Sequence, residues 1–179
     1  MRKIFNLQKI MIVAYIIVVI SCFLYALGFM TDYSDLFGLV LSKNAPIADF
    51  HDNVLQPFNR DIFWMGVAGV VSIVLVLILE LFSTVPSKFS LICGCIMPIP
   101  FIILSIKFIE TLKTIEATYL SLNFSYLWLE GYIGEYVVKT ITFDIGSIVY
   151  TATIIVSIAL IAVLLLSHFY YVKKMKVGA

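Results

Sequence analysis

Apolar residues in this chain gather into long unbroken blocks, with short polar stretches between them. Ile10 to Met30 carries no charge, and neither does Ile62 to Leu79, Phe89 to Ile106 or Ile145 to Val172. A helix needs about 20 mostly apolar residues to cross roughly 30 Å of hydrocarbon. The blocks therefore predict four membrane-spanning helices, over about 10–30, 62–83, 89–119 and 145–172. The last block is uncharged over 28 residues. At 1.5 Å per residue it is about 42 Å long, so it must tilt or project. Between the blocks lie a short 84–88 turn and two longer loops, 31–61 and 120–144. The expected fold is an all-α membrane protein, a four-transmembrane-helix bundle of two hairpins in one domain, 1–179. The first block follows Arg2 and Lys3 and ends near Ala26-Leu27-Gly28, as a secretory signal does. A signal's apolar region is only about 7–15 residues long, so a retained helix is expected.

Composition supports this reading. The chain is 62% hydrophobic and 13% charged over 179 residues, with mean hydropathy +1.07. Soluble domains average about 45–50% apolar and about 25% charged. A soluble enzyme and a disordered chain are both excluded on that ground. A net charge of +1 gives no reason to expect nucleic acid as a partner; the lipid bilayer and other membrane subunits are the partners expected.

The distribution of charge predicts orientation. Arg2, Lys3, Lys9, Lys88, Lys173, Lys174 and Lys176 flank the spans on one side, with only Glu80 acidic near them. The 31–61 loop carries Asp32, Asp35, Asp49, Asp52 and Asp61 against Lys43 and Arg60; the other long loop is acidic too. Basic flanks stay cytoplasmic. Both termini and the 84–88 turn are therefore expected inside, and both longer loops outside. Trp64 and Trp128 fall on the outer side, where amphipathic rings favour the interface.

Within the spans, small residues are the expected helix-packing contacts, since lipid tails are as apolar as leucine. The candidates are Gly66, Ala68, Gly69 and Ser72 in the second span and Gly146, Ser147 and Thr151 in the fourth. Ala68 and Ser72 are four apart, as are Ser147 and Thr151, which suggests two packing faces. Pro98 and Pro100 should bend or break the third span, because each lacks an N–H for the helix ladder. Beyond them Lys107, Glu110, Lys113 and Glu116 form a charged stripe near the outer boundary. Pro98, Pro100, Lys107 and Glu110 are thus candidates for a hinge or polar path, or for a fixed kink with a snorkelling lysine. No ionisable residue sits near the centre of any expected span, which lowers the transport reading.

The outer segment 119–143 alternates over part of its length and holds Phe124, Tyr126, Trp128, Tyr132 and Tyr136 around Gly131 and Gly134. It reads as a β-hairpin, with an interfacial helix as the rival. Its apolar side needs cover, so these aromatics are partner-contact candidates. Asp49, His51 and Asp52 form a small acidic group with the chemistry to hold a divalent cation; a solvated loop is the plainer expectation, and no metal is assigned. His168 is expected at the inner interface. Asn123-Phe124-Ser125 matches the glycosylation pattern.

Four spans with both termini inside resemble, in topology alone, the quinone-linked disulfide-forming oxidases and the vitamin K epoxide reductases. Those families place a C-x-x-C near the outer face. Here Cys22, Cys93 and Cys95 all fall within expected spans, and Cys93-Gly94-Cys95 has one intervening residue. Buried cysteine acting as a small hydrophobe fits better. No G-x-S-x-G, H-E-x-x-H or P-loop pattern occurs. The expected function is a non-catalytic membrane subunit or accessory protein without a cofactor. A small transporter with a path along the third span is the alternative, and a thiol oxidoreductase the less favoured third reading.

Overall fold

The computed structural model describes residues 2–32, 45–82, 92, 94–123 and 138–177, all helical apart from short connecting stretches. We label the elements α1 (Arg2–Asp32), α2 (Ala45–Phe50), α3 (Gln56–Phe82), α4 (Pro98–Ser121) and α5 (Ile141–Val177), with a π-helical turn, His51–Leu55, joining α2 to α3. Among the described residues three helical stretches are long and apolar enough to cross a membrane: Leu7–Met30, Gly94–Ser121 and Ile141–Tyr170.

Hydrophobicity is almost even around the circumference of each long helix. The inward face is marked instead by spacing. On α1 the buried positions include Ile12, Tyr15, Val19, Cys22, Ala26 and Phe29, with Tyr25 buried beside Ala26. On α4 they include Phe101, Ser105, Phe108, Leu112, Ile115 and Tyr119. On α5 they include Phe143, Gly146, Tyr150, Thr153, Ser157 and Leu160, and on α3 Phe58, Ile62, Met65, Gly69 and Ser72, with Thr142, Asn59, Gly66 and Ile73 buried beside them. Each series steps by three and four residues in alternation. That 3.5-residue period is below the helical 3.6, so it favours gently left-handed packing of neighbouring helices.

Contacts define the arrangement. α1 lies between α3 and α5, and α5 between α1 and α4, while α3 and α4 touch more sparingly. Along α1 and α3, Phe29 meets Phe58, Phe23 approaches Gly66, and Tyr15 meets Ser72. Rising number pairs with falling number, so these helices are antiparallel. The pairs Phe108–Tyr150 and Tyr119–Phe143 give the same result for α4 and α5.

The helices differ from expectation at their ends. Much of the expected loop 31–61 is helical, since residues 45–61 belong to α2, the π turn and the start of α3. Buried Ile47, Phe50 and Leu55 fold this segment over the core. The wide turn falls just before Pro57, whose ring would clash with the Asn53 carbonyl in a regular helix. α5 starts at Ile141, four residues before the expected start of the fourth span. The end of the β-hairpin expected over 119–143 is therefore helical at 141–143. Phe143 packs against Phe29 and Tyr119, and Asp144 in the first turn suits the helix dipole, so context overrides a weak β preference. The prolines open α4: Pro98 takes the first helical position, where its missing N–H costs least. Gly94–Ile96 is helical before a turn at Met97, so the ladder is interrupted there while Met97 keeps helical dihedrals (φ −62, ψ −44).

Candidate functional site: the bundle interior

The interior is built from rings toward one end and small polar groups toward the other. Tyr25 and Phe29 from α1, Phe58 from α3, Phe108 from α4 and Tyr150 from α5 close a cycle of five aromatic rings. Centroid separations around it are 5.9, 5.4, 5.7, 5.4 and 5.6 Å. Four of the five pairs are edge-to-face, the arrangement that ring quadrupoles favour. A branch continues through Phe143 and Tyr119 to Phe50, tying α2 to the same cluster. The Tyr119 hydroxyl accepts the backbone N–H of Lys139 (3.3 Å), fixing the chain as it enters α5. Gly146 makes room for the cycle: a Cβ there would collide with the Tyr25 hydroxyl and lie 2.8 Å from Leu112 Cδ1.

Two polar pairs cross between helices, one next to the cycle and one toward the other end. Thr153 donates to the Val149 carbonyl (2.8 Å), which commits its hydroxyl proton. Cys22 Sγ, 3.2 Å from Thr153 Oγ1, must then be the donor of that pair. By the same logic Ser72 donates to the Gly69 carbonyl (2.9 Å), so the Tyr15 hydroxyl donates to Ser72 Oγ (3.4 Å). Ser105 and Ser157 are fully buried, and Asn59 nearly so, with side-chain polar atoms that meet no hydrogen-bond partner. Each such group costs about 1–3 kcal/mol when buried alone.

His51 is buried at the ring-rich end. Its Nδ1 lies 2.7 Å from Asp52 Oδ1 and its Nε2 3.4 Å from Gln56 Nε2. Asp49 accepts from Asn53 Nδ2 at 2.6 Å rather than turning toward the histidine. Among the described residues no three His, Cys, Asp or Glu side chains converge as a metal site would require.

The expected site residues fall in different places. Gly66 and Gly69 are buried where α1 crosses α3, the first against Phe23 and the second against Val19 and Phe101. Ser72 and Gly146 are buried, Ser147 is half-buried, and Ala68 and Thr151 point outward. Pro98 is buried and Pro100 exposed, while Lys107 and Glu110 face outward from the bundle. Phe124, Tyr126, Trp128, Tyr132 and Tyr136 lie outside the described residues, as does Cys93. Sequence reasoning missed the cross-helix partners Tyr15, Cys22 and Thr153 and the aromatic cycle. The available signal was their 3-4 spacing, with Tyr15, Cys22 and Phe29 in one register. Comparison with known protein families, with curated proteins and with solved structures finds no match to this chain.

Proposed function

We propose that the protein is a non-catalytic integral membrane subunit or accessory factor that stabilises or regulates a larger membrane complex. In this reading α3 is the fourth span, alongside the three stretches already long and apolar enough to cross. Its 62–79 run carries no charge. Both termini and the 84–88 turn lie in the cytoplasm, following the seven basic residues that flank the spans there. The contact surfaces are a helix face and the outer aromatic segment 119–143.

The observation that carries the proposal is the ring cycle on the bundle axis toward one end, which fills the space between all four long helices with packed side chains. A solute path through a single copy has to breach that plug. Lys107 and Glu110 are exposed on the outside of the bundle, so a path along them runs between copies and not within one. The buried polar side chains among the described residues are hydroxyls, the Cys22 thiol, the Asn59 amide and the His51 imidazole.

The test is to tag the chain at its own locus, extract it in mild detergent and size the product. A subunit runs as an assembly well above its 20.2 kDa, with a second polypeptide in fixed ratio. A monodisperse single-chain species that carries solute flux after reconstitution overturns the proposal. Flux that survives Lys107→Ala and Glu110→Ala removes those two residues from any path.

A further inference from the structure

At one height the circumference of the bundle divides into a charged half and an aliphatic half. The ring contacts Phe58–Phe108, Phe108–Tyr150 and Tyr25–Tyr150 set the four long helices level with one another. Around that layer α3 exposes Arg60 and Asp61, and α4 exposes Lys107 and Glu110. At the same height α1 exposes Leu24 (60%) and α5 exposes Ile148 (69%). Water does not suit the second half, and hydrocarbon does not suit the first.

Two further observations say which medium meets which half. Trp64 is 61% exposed one helical turn from Arg60 and Asp61, on the side away from the layer's polar end. An exposed tryptophan favours the membrane–water interface. On α4 the exposed isoleucines Ile99, Ile103 and Ile106 stop at Lys107. Counted inward from the ring layer, the change comes two residues along α4 and six residues along α3, about 3 and 9 Å of helix. On the other side, Tyr25 and Tyr150 are in the layer, and the next charges along those helices are Asp32 and Asp144. These lie six or seven residues further on, which is about 10 Å of helix. The uncharged strip also runs on along α5: exposed Ile145 and Ile148, then exposed Thr151, then exposed Ile155 and Ile158.

We infer that the hydrocarbon boundary steps around the bundle at this end. Lipid acyl chains cover α1 and α5 up to about Met30 and Ile145, while α4 emerges into water about 10 Å lower, at Ile106, and α3 about 16 Å lower, at Trp64. The 28-residue uncharged run of α5 is what a flat 30 Å slab leaves too long. The bilayer is therefore stretched on one side of the protein and thinned on the other, which gives the mismatch a direction within the membrane plane. The inference rests on the membrane reading alone and not on the subunit role.

Single tryptophans test it in a Trp64→Phe, Trp128→Phe background that leaves the cysteines untouched. Variants Ile148→Trp and Glu110→Trp sit at one height, and Ile103→Trp serves as the deep control. Each is reconstituted in phosphatidylcholine vesicles with or without brominated acyl chains, then exposed to aqueous iodide. Ile148→Trp should lose most of its emission to bromine and little to iodide, and Glu110→Trp the reverse. Leu27→Trp and Arg60→Trp, on α1 and α3, should repeat the contrast if either first variant folds poorly. Quenching of both members of a pair by bromine, or of both by iodide, overturns the step. So does an Ile148→Trp shielded from both quenchers, which means protein and not lipid covers that face. Failure of bromine to reach Ile103→Trp sinks the membrane reading itself.

Discussion

Thr153 has one hydroxyl proton, and the Val149 carbonyl takes it. That fact makes Cys22 a donor and gives the α1–α5 contact a direction. Interhelical hydrogen bonds of this kind in membranes average about 0.6 kcal/mol. A double-mutant cycle of Cys22→Ala and Thr153→Val should return a coupling of about that size in detergent unfolding; zero coupling removes the bond from the account. Ser105 offers the opposite case. Its hydroxyl is fully buried without a partner, so Ser105→Ala should leave stability unchanged or raise it by up to about 1 kcal/mol. A clear loss on that substitution means that the hydroxyl is satisfied after all. Glycines divide in the same way. Gly146→Ala forces a methyl into Tyr25 and Leu112 and should cost about 1–3 kcal/mol. Gly28 has nothing within 4 Å, so Gly28→Ala should gain about 0.5–1 kcal/mol by helix propensity. Thermal melts of the two variants side by side check both signs.

The aromatic cycle holds the elements together. Phe108 touches both Phe58 and Tyr150, and so joins α3, α4 and α5. Phe108→Ala should cost about 3–5 kcal/mol, while Ile103→Ala, one turn away and 62% exposed, should stay within about 0.5 kcal/mol. Comparable losses at both positions contradict an interior organised around the rings. The elements were legible in the sequence where composition decides them. Uncharged runs mark α1, the body of α3, α4 and α5, because only helices and closed barrels satisfy the backbone in lipid. Their inner faces were not legible. When every side is apolar, periodicity in hydrophobicity vanishes, and the choice between Ala68 and its neighbour Gly69 rests on packing that one sequence does not display. Gly69 is the buried one because Val19 and Phe101 close on it. α2 and the π turn were hidden for a different reason. Pro46 and Pro57 read as loop signals, yet each stands near the start of a helix, where a proline is tolerated.

For the whole molecule, antiparallel contacts between neighbours place Ile12 of α1 and Leu160 of α5 in one cluster with Ile73 of α3. Residues near the N-terminus and late in the chain thus meet at the same end of the bundle. Together with the seven basic residues that flank the spans in sequence, this supports the orientation we propose: a membrane bundle with both tails in the cytoplasm. The most direct measurement is single-site labelling in intact cells with a membrane-impermeant reagent, at tags on the two termini and within 33–44 and 124–137. The account predicts that both terminal tags stay unlabelled until the cells are opened, while tags in the two internal segments react at once. Labelling of either terminus in intact cells contradicts it.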